Sequence, residues 1–184
     1  VVGVVAAVNH GKWVDSVLMT ISVFGISAPA FWIAIILQIV ICLKFNLLPL
    51  SGIDSFKSFI LPGIALGTRY AASIARITRT SMLDVLSQDY IRTAEAKGLK
   101  GWVVTIKHAL RNALIPIITI AGSDLGNILT GSVLVESVFS IPGIGKMLVD
   151  SINTRDLPIV QGGVMYIAVI CVIMYLVCLL YTSD

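Results

Sequence analysis

Charge is what this sequence has least of. Only 12% of its 184 residues are Asp, Glu, Lys or Arg, against about a quarter in an ordinary soluble domain. The hydrophobic fraction is 57% and the mean hydropathy +0.97. So small a charged fraction excludes a soluble globular protein, and a formal net charge of only +3 gives no footing for a nucleic-acid partner. Cysteine is scarce as well. Cys42, Cys171 and Cys178 lie in apolar runs without CxxC spacing, which reads as small apolar residues inside spans and not as disulfides or metal ligands. Catalytic punctuation is missing too. Of the two Gly-Lys pairs, Gly11-Lys12 has Ala6 five residues before the glycine and Trp13 after the lysine, and Gly145-Lys146 has Ser140 and Met147 at those places, so the phosphate-cradling pattern G-x4-G-K-[ST] is absent. With no zinc spacing, nucleophile elbow or catalytic triad either, the chain is expected to perform no chemistry of its own.

What the sequence does have is apolar runs of membrane-crossing length, about 20 residues each. The clearest is Val164 to Tyr181, extended by Ile159 and Val160 beyond two glycines. A second span is expected from Val17 to about Leu43, kinked at Pro29, and a third from Ala113 to Val135. A fourth starts at Phe59 but meets Arg69 after ten residues, which makes it the weakest by hydropathy. Pro62, near its start, sits where proline is tolerated. The stretch Val1 to Val8 has no initiator Met, charged n-region or cleavage site before it, and reads as the end of a truncated span, not a signal peptide. The expectation is an all-α polytopic transmembrane bundle, a fragment with four full spans and a stub.

Alternating spans put the connections 9–16 and 69–112 on one face and 44–58 and 136–158 on the other. The first face carries nine basic residues, Lys12 and the eight from Arg69 to Arg111, against Lys44, Lys57, Lys146 and Arg155 on the second. The positive-inside rule therefore places the 69–112 segment in the cytoplasm. Residues 80–112 are too long and polar for a tight turn. Asp89 is a plausible N-cap, followed by Tyr90, Ile91, Ala94 and Ala96 before a stop at Gly98. This short helix has an Ala-rich, close-packing surface and a basic edge at Arg92 and Lys97. A second helical stretch, Trp102 to Leu114, returns to the membrane. On charge alone two readings stay open, a basic segment lying on anionic lipid and a docking helix for a cytoplasmic partner.

The run DYIRTAEAKGL at 89–99, followed by HALRNALIP at 108–116, resembles the cytoplasmic EAA loop of ATP-binding-cassette importer permeases, in the form found in B-type subunits of dipeptide, oligopeptide and nickel transporters. The general pattern is EAA, three residues, Gly, nine residues, then I-x-L-P. Counted from Gly98, this chain keeps Ala94, Gly98 and Leu110 and departs at Arg92, Thr93, His108 and Arg111. Such departures are similar to those of the peptide/nickel subfamily. LPGIALG at 61–67, IARITRTSMLDVL at 74–86, VESVFSIPGIG at 135–145 and RDLPIVQG at 155–162 extend the likeness over 1–181.

The resemblance implies a transmembrane domain whose loop 80–112 holds the coupling helix, with Asp89, Tyr90, Arg92, Thr93, Ala94, Lys97, Gly98, His108, Leu110 and Arg111 contributing to ATPase coupling. Ala94 and Gly98 would allow close approach of the ATPase, and Arg92 and Lys97 would pair with its acidic groups. Gly98 also reads as an ordinary C-cap, and His108 as a lone structural histidine. The implied partners are a second homologous permease, two ATPases, an extracytoplasmic solute-binding protein and the bilayer, in a bacterial or archaeal inner membrane. ATP and magnesium would belong to the ATPases, and no cofactor or metal to this chain. Glu136, Pro142 and Gly143 would belong to a segment near the outer gate, although from the residues alone they are a turn. Two alternatives differ in class. An ion-driven secondary carrier would show inverted repeats and paired broken helices, while a non-transporting scaffold would tolerate replacement of 89–98.

A polar solute needs a polar path, so ionisable residues at mid-depth are the first suspects. Asp124 lies about 16 Å inside its span and Arg69 about 15 Å inside the fourth. They are expected to face a cavity, pairing with each other or meeting the charged ends of a substrate. The bland alternative is a snorkelling Arg69 and a structural helix-to-helix bond at Asp124. Asn127 and Gly131 share the Asp124 face, with Gly122, Gly126 and Thr130 beside it, a spacing that also serves plain helix packing.

Overall fold

The computed structural model describes residues 1–53 and 55–182, with side-chain surroundings for all of these except 129–132, 178–179 and 181–182. The expected reading of Cys178 and the surroundings of Thr130 and Gly131 therefore lie outside the described residues, as do Ser183 and Asp184. Among the described residues the chain is helical with no strand. Helix α1 covers Val2–Val8, α2 Trp13–Ser27, and α3 Ala30–Leu37, continued as a π-helical stretch Gln38–Lys44. After a 3-10 turn, Phe56–Phe59, come α4 at Ile60–Leu86 and the short α5 at Asp89–Ala96. Helix α6, Gly101–Val103, runs through a π-helical stretch, Val104–Leu110, into α7, Arg111–Val138. Helix α8 is Ile144–Asn153 and α9 is Leu157–Thr182.

Among the described residues two single helices are long and apolar enough to cross a bilayer, Gly101–Ile128 and Leu157–Val177. The second is the expected clearest span. The cytoplasmic return helix and the third span, read separately from the sequence, prove to be consecutive parts of one helical run. The expected span from Val17 to Leu43 passes the same test only as a pair of helices, Trp13–Ser27 and Ala30–Lys44 taken together. Helices α2 and α3 meet at 98°, a break and not a kink. Proline has no N–H to continue the ladder and pushes the preceding residue out of the helical region. Ala28 (ψ 126°) and Pro29 (ψ 137°) are both extended, and the Pro29 carbonyl then accepts from the N–H groups of Trp32 and Ile33 to start α3. Alone, α2 has 15 residues, about 22 Å, short of a bilayer core of about 30 Å.

Helix α4 fails a hydropathy test yet runs the length of the bundle. Its 27 residues reach about 40 Å. Leu61 and Ala65, at its start, join a cluster with Ala34, Cys42, Val135 and Phe139, and Met82, near its end, joins another with Ala7, Ile91, Ala94, Val104 and Ala109. The two clusters mark opposite ends of the bundle. Helices α1, α2, α3 and α7 surround α4, and small residues set their distance. A Cβ on Gly3 would strike the Ala75 carbonyl and lie 2.6 Å from Thr78 Cβ, and one on Gly25 would lie 3.0 Å from Ala72 Cβ. In lipid, where helices gain nothing from hydrophobic burial against each other, such close approach supplies the packing energy.

Candidate functional site

Residues 89–98, the segment expected in the cytoplasm, build a short helix with two different faces. On the inner face Ile91 is 1% and Ala94 7% exposed, packed with Met82 of α4 and with Val104 and Ala109 of the π-helical stretch. Burying Ile91 contributes about 2 kcal/mol. On the outer face Asp89, Tyr90, Arg92, Thr93, Glu95, Ala96 and Lys97 are exposed. One expectation changes here. The N-cap is Gln88, with Asp89 as the first helical residue, where its charge still favours the positive helix end. Ala94 packs into this chain's own core, where its small side chain allows a close approach to α4.

Gly98 ends α5 as expected. It has φ +75°, the Leu99 N–H donates to the Ala94 carbonyl (3.4 Å) and the Gly98 N–H to the Glu95 carbonyl (2.9 Å). This is a Schellman stop, which needs a residue free to take the left-handed conformation. A Cβ at Gly98 would meet nothing within 4 Å, so only the backbone conformation demands glycine. Arg92 Nη1 lies 3.7 Å from Asp89 Oδ1, an exposed pair of small worth, while Lys97 extends into solvent. Asn112 Nδ2 donates to the Tyr90 hydroxyl at 2.8 Å, tying α5 to the start of α7. Leu110 packs beside the inner cluster, His108 is half-buried and Arg111 exposed.

At mid-depth Asp124 is half-buried on α7 and Arg69 exposed on α4. The two charges act on each other, yet no ion pair within 4.0 Å joins them among the described residues. Asn127, one turn beyond Asp124, accepts a hydrogen bond from the Tyr175 hydroxyl of α9 at 3.1 Å. The Cys171 thiol donates to the Gly126 carbonyl at 3.6 Å, and a Cβ on Gly126 would press on the Tyr175 ring at 3.2 Å. The small-residue spacing thus serves α7–α9 packing, and the polar groups sit within that seam.

At the opposite end of the bundle Glu136, Pro142 and Gly143 are more than a turn. Ser140 takes a left-handed conformation (φ 52°) to close α7, and the chain reverses into α8. The Lys146 N–H donates to Glu136 Oε2 at 3.1 Å, so a carboxylate from α7 caps the N-terminus of α8, where negative charge is favoured. A Cβ on Gly143 would collide with that carboxylate, and one on Gly145 would lie 2.5 Å from Val133 Cα. Both glycines are therefore required for the approach. Pro142 is exposed just before the cap.

One cluster escaped the sequence reading. Asp15, 4% exposed, accepts from Arg79 Nε at 2.6 Å and Nη2 at 2.7 Å and from the Gly11 N–H at 3.2 Å. His10 Nδ1 lies 2.9 Å from Arg79 Nη2 and 3.1 Å from Asp15 Oδ2. The group fastens the α1–α2 connection to the C-terminal part of α4. An acidic residue in the first turn of an apolar helix was the available signal. Gln38 was missed too. Its Nε2 donates to the carbonyls of Leu50 and Val138, holding the outer loop to α7. Among the described residues no group of three His, Cys, Asp or Glu side chains is placed to hold a metal ion.

Apolar helices of crossing length, a short helix seated on one end of the bundle and polar groups along the spans are the features of a multi-pass membrane component. Residues 1–183 match the family of binding-protein-dependent transport system inner membrane components, and the chain belongs to that family. It is similar to the glutathione transport system permease protein GsiC of Escherichia coli strain K12, 47% identical over 163 residues, which cover 89% of this chain and 53% of that protein. The GsiC of Shigella dysenteriae serotype 1 shows the same figures, and that of Salmonella choleraesuis is 46% identical over 164 residues, 89% of this chain and 54% of the relative. The chain spans about half the length of the curated relatives it matches.

Proposed function

We propose that this chain forms part of the translocation subunit of an ATP-driven importer for short peptides of the glutathione type in a bacterial inner membrane. Residues 89–98 are the element through which separate ATPases drive it. The observation that carries the reading is the division of α5. Ile91 and Ala94 root it in the inner core shared by α1, α4 and the start of α7, while Tyr90, Thr93, Glu95 and Lys97 stay exposed for a partner. A helix so rooted passes a push to the spans instead of absorbing it. ATP and magnesium act on the ATPases. A second permease completes the path, and an extracytoplasmic binding protein delivers the solute. The peptide class follows the names of the glutathione permease relatives and is favoured over nickel.

The test is uptake by proteoliposomes holding the full-length protein with its own partner subunits and binding protein. Glutathione uptake that requires ATP, together with crosslinking of Thr93→Cys to the ATPase, is expected. ATP-dependent uptake of nickel ions but not of glutathione would refute the peptide class. Absence of any crosslink from residue 93 would refute the coupling role.

A further inference from the structure

The mid-membrane charges carry an inference that rests on the peptide reading above and deepens it. Asp124 Oδ2 is fully buried and has no hydrogen-bond partner. An orphaned buried carboxylate oxygen is costly and uncommon, and within a membrane it marks a functional position. The Asn127 side chain bonds the Asp124 carboxylate, yet Oδ2 keeps no partner, and the other nearby donors do not reach it. The Tyr175 hydroxyl serves Asn127, and Arg69 stops short of an ion pair. Arg69 is itself exposed about 14 Å along α4 from Ile60. A guanidinium at that depth facing hydrocarbon would be expelled or would snorkel, so it faces a polar passage or a partner helix. A structural pair would close to contact, because each charge is the other's cheapest partner. An acid and a base on two packed helices that do not close on each other are instead the arrangement that receives a molecule carrying both charges.

We propose that Asp124 and Arg69 form a transit site for the two charged ends of a short peptide, Asp124 Oδ2 accepting from the ammonium group and Arg69 donating to the carboxylate. The contacts are non-covalent and charge-assisted, which makes them strong enough to draw the zwitterion off bulk water. The solute supplies the donor that Oδ2 lacks.

A double-mutant cycle decides the matter. Full-length Asp124→Asn, Arg69→Gln and the double variant are assembled with their partner subunits. Uptake of glutathione, di-alanine and tri-alanine is measured at saturating binding protein alongside ATP hydrolysis. Each single change is expected to lower turnover about tenfold, the loss of one charge-assisted contact, and the double change about a hundredfold if the two ends are held independently. ATP hydrolysis continues in all three. Asp124→Glu, which keeps a carboxylate, stays within about threefold of wild type, set by geometry alone. A double variant no worse than either single would show a structural pair and overturn the proposal, as would unchanged uptake. Failure of Asp124→Asn to assemble would make the carboxyl structural and overturn it equally. Wild type that takes up none of the three peptides would refute the peptide reading itself, an outcome distinct from uptake that ignores the substitutions.

Discussion

Asp15 and Arg79 meet through a two-point fork, Nε to Oδ1 at 2.6 Å and Nη2 to Oδ2 at 2.7 Å, across the seam between α2 and α4. The geometry uses the planar guanidinium, which lysine lacks. Arg79→Lys is therefore expected to behave as a loss and not as a conservative change. Asp15→Asn leaves the guanidinium without its counter-charge. Both variants, made in the full-length protein, should lower the thermal midpoint in detergent by roughly 5 °C or more, measured by loss of monodisperse protein on heating. A midpoint for Arg79→Lys equal to wild type would show that a single contact suffices.

Ala94 and Ala96 stand two positions apart on α5 and differ in what surrounds them, buried against Met82 and Val104 in one case and exposed in the other. Enlarging the first overfills a packed site, with a cost of about 1–3 kcal/mol. The second is a surface change worth about 0.5 kcal/mol or less. Ala94→Leu should lower thermal stability while Ala96→Leu leaves it in place. If position 96 instead meets the ATPase, Ala96→Leu weakens co-purification of that subunit without touching stability, and the two assays separate the two faces.

How far the sequence alone reached depends on whether local chemistry or distant packing set each feature. The span at α9, the short helix ending at Gly98 and the depth of Asp124 rest on local signals, namely an unbroken apolar run, a glycine after an Ala-rich turn and a count along a helix. The inward face of Ala94 was not legible, because the side it packs against arrives from α4 and from Val104. Pro29 was legible as a disturbance but not as a 98° break, since the angle is set by where α3 finds α4 and α7. Helix α4 looked weak as a span because hydropathy counts Arg69, Arg76 and Arg79 as exposed to lipid. In the fold Arg79 is paired with Asp15 and the helix is ringed by four others. The Glu136 cap joins residues ten apart across a reversal, beyond any periodic pattern.

That cap makes a prediction at the outer side. Gly145→Ala drives a methyl group toward the backbone at Val133, which cannot swing away as a side chain would, so the cost is about 1–3 kcal/mol. Glu136→Gln keeps a hydrogen-bond acceptor and loses the charge that favours a helix N-terminus, about 0.5–1 kcal/mol. The expected order of thermal stability is wild type, then Glu136→Gln, then Gly145→Ala. Amide exchange at Lys146 should quicken in both variants, and slow exchange there in Gly145→Ala would show that α8 shifts to make room.

Tyr90 offers the sharpest test of how α5 joins the spans. Its hydroxyl accepts from Asn112 Nδ2 at 2.8 Å, and Asn112 sits at the start of α7, four residues before Pro116. Proline lacks the N–H that would otherwise bond the Asn112 carbonyl, so α7 is locally less stiff just above the point where α5 is tied to it. Tyr90→Phe removes only the hydroxyl. Because Tyr90 is exposed, stability should fall by no more than about 1 kcal/mol. Uptake per ATP hydrolysed should nonetheless drop about fivefold, the factor that about 1 kcal/mol of lost coupling supplies, and Asn112→Ala should match it. The double variant should be no worse than either single, since both remove one bond. Additive losses in the double variant would show that Tyr90 and Asn112 act separately, Tyr90 on the ATPase and Asn112 within the membrane component.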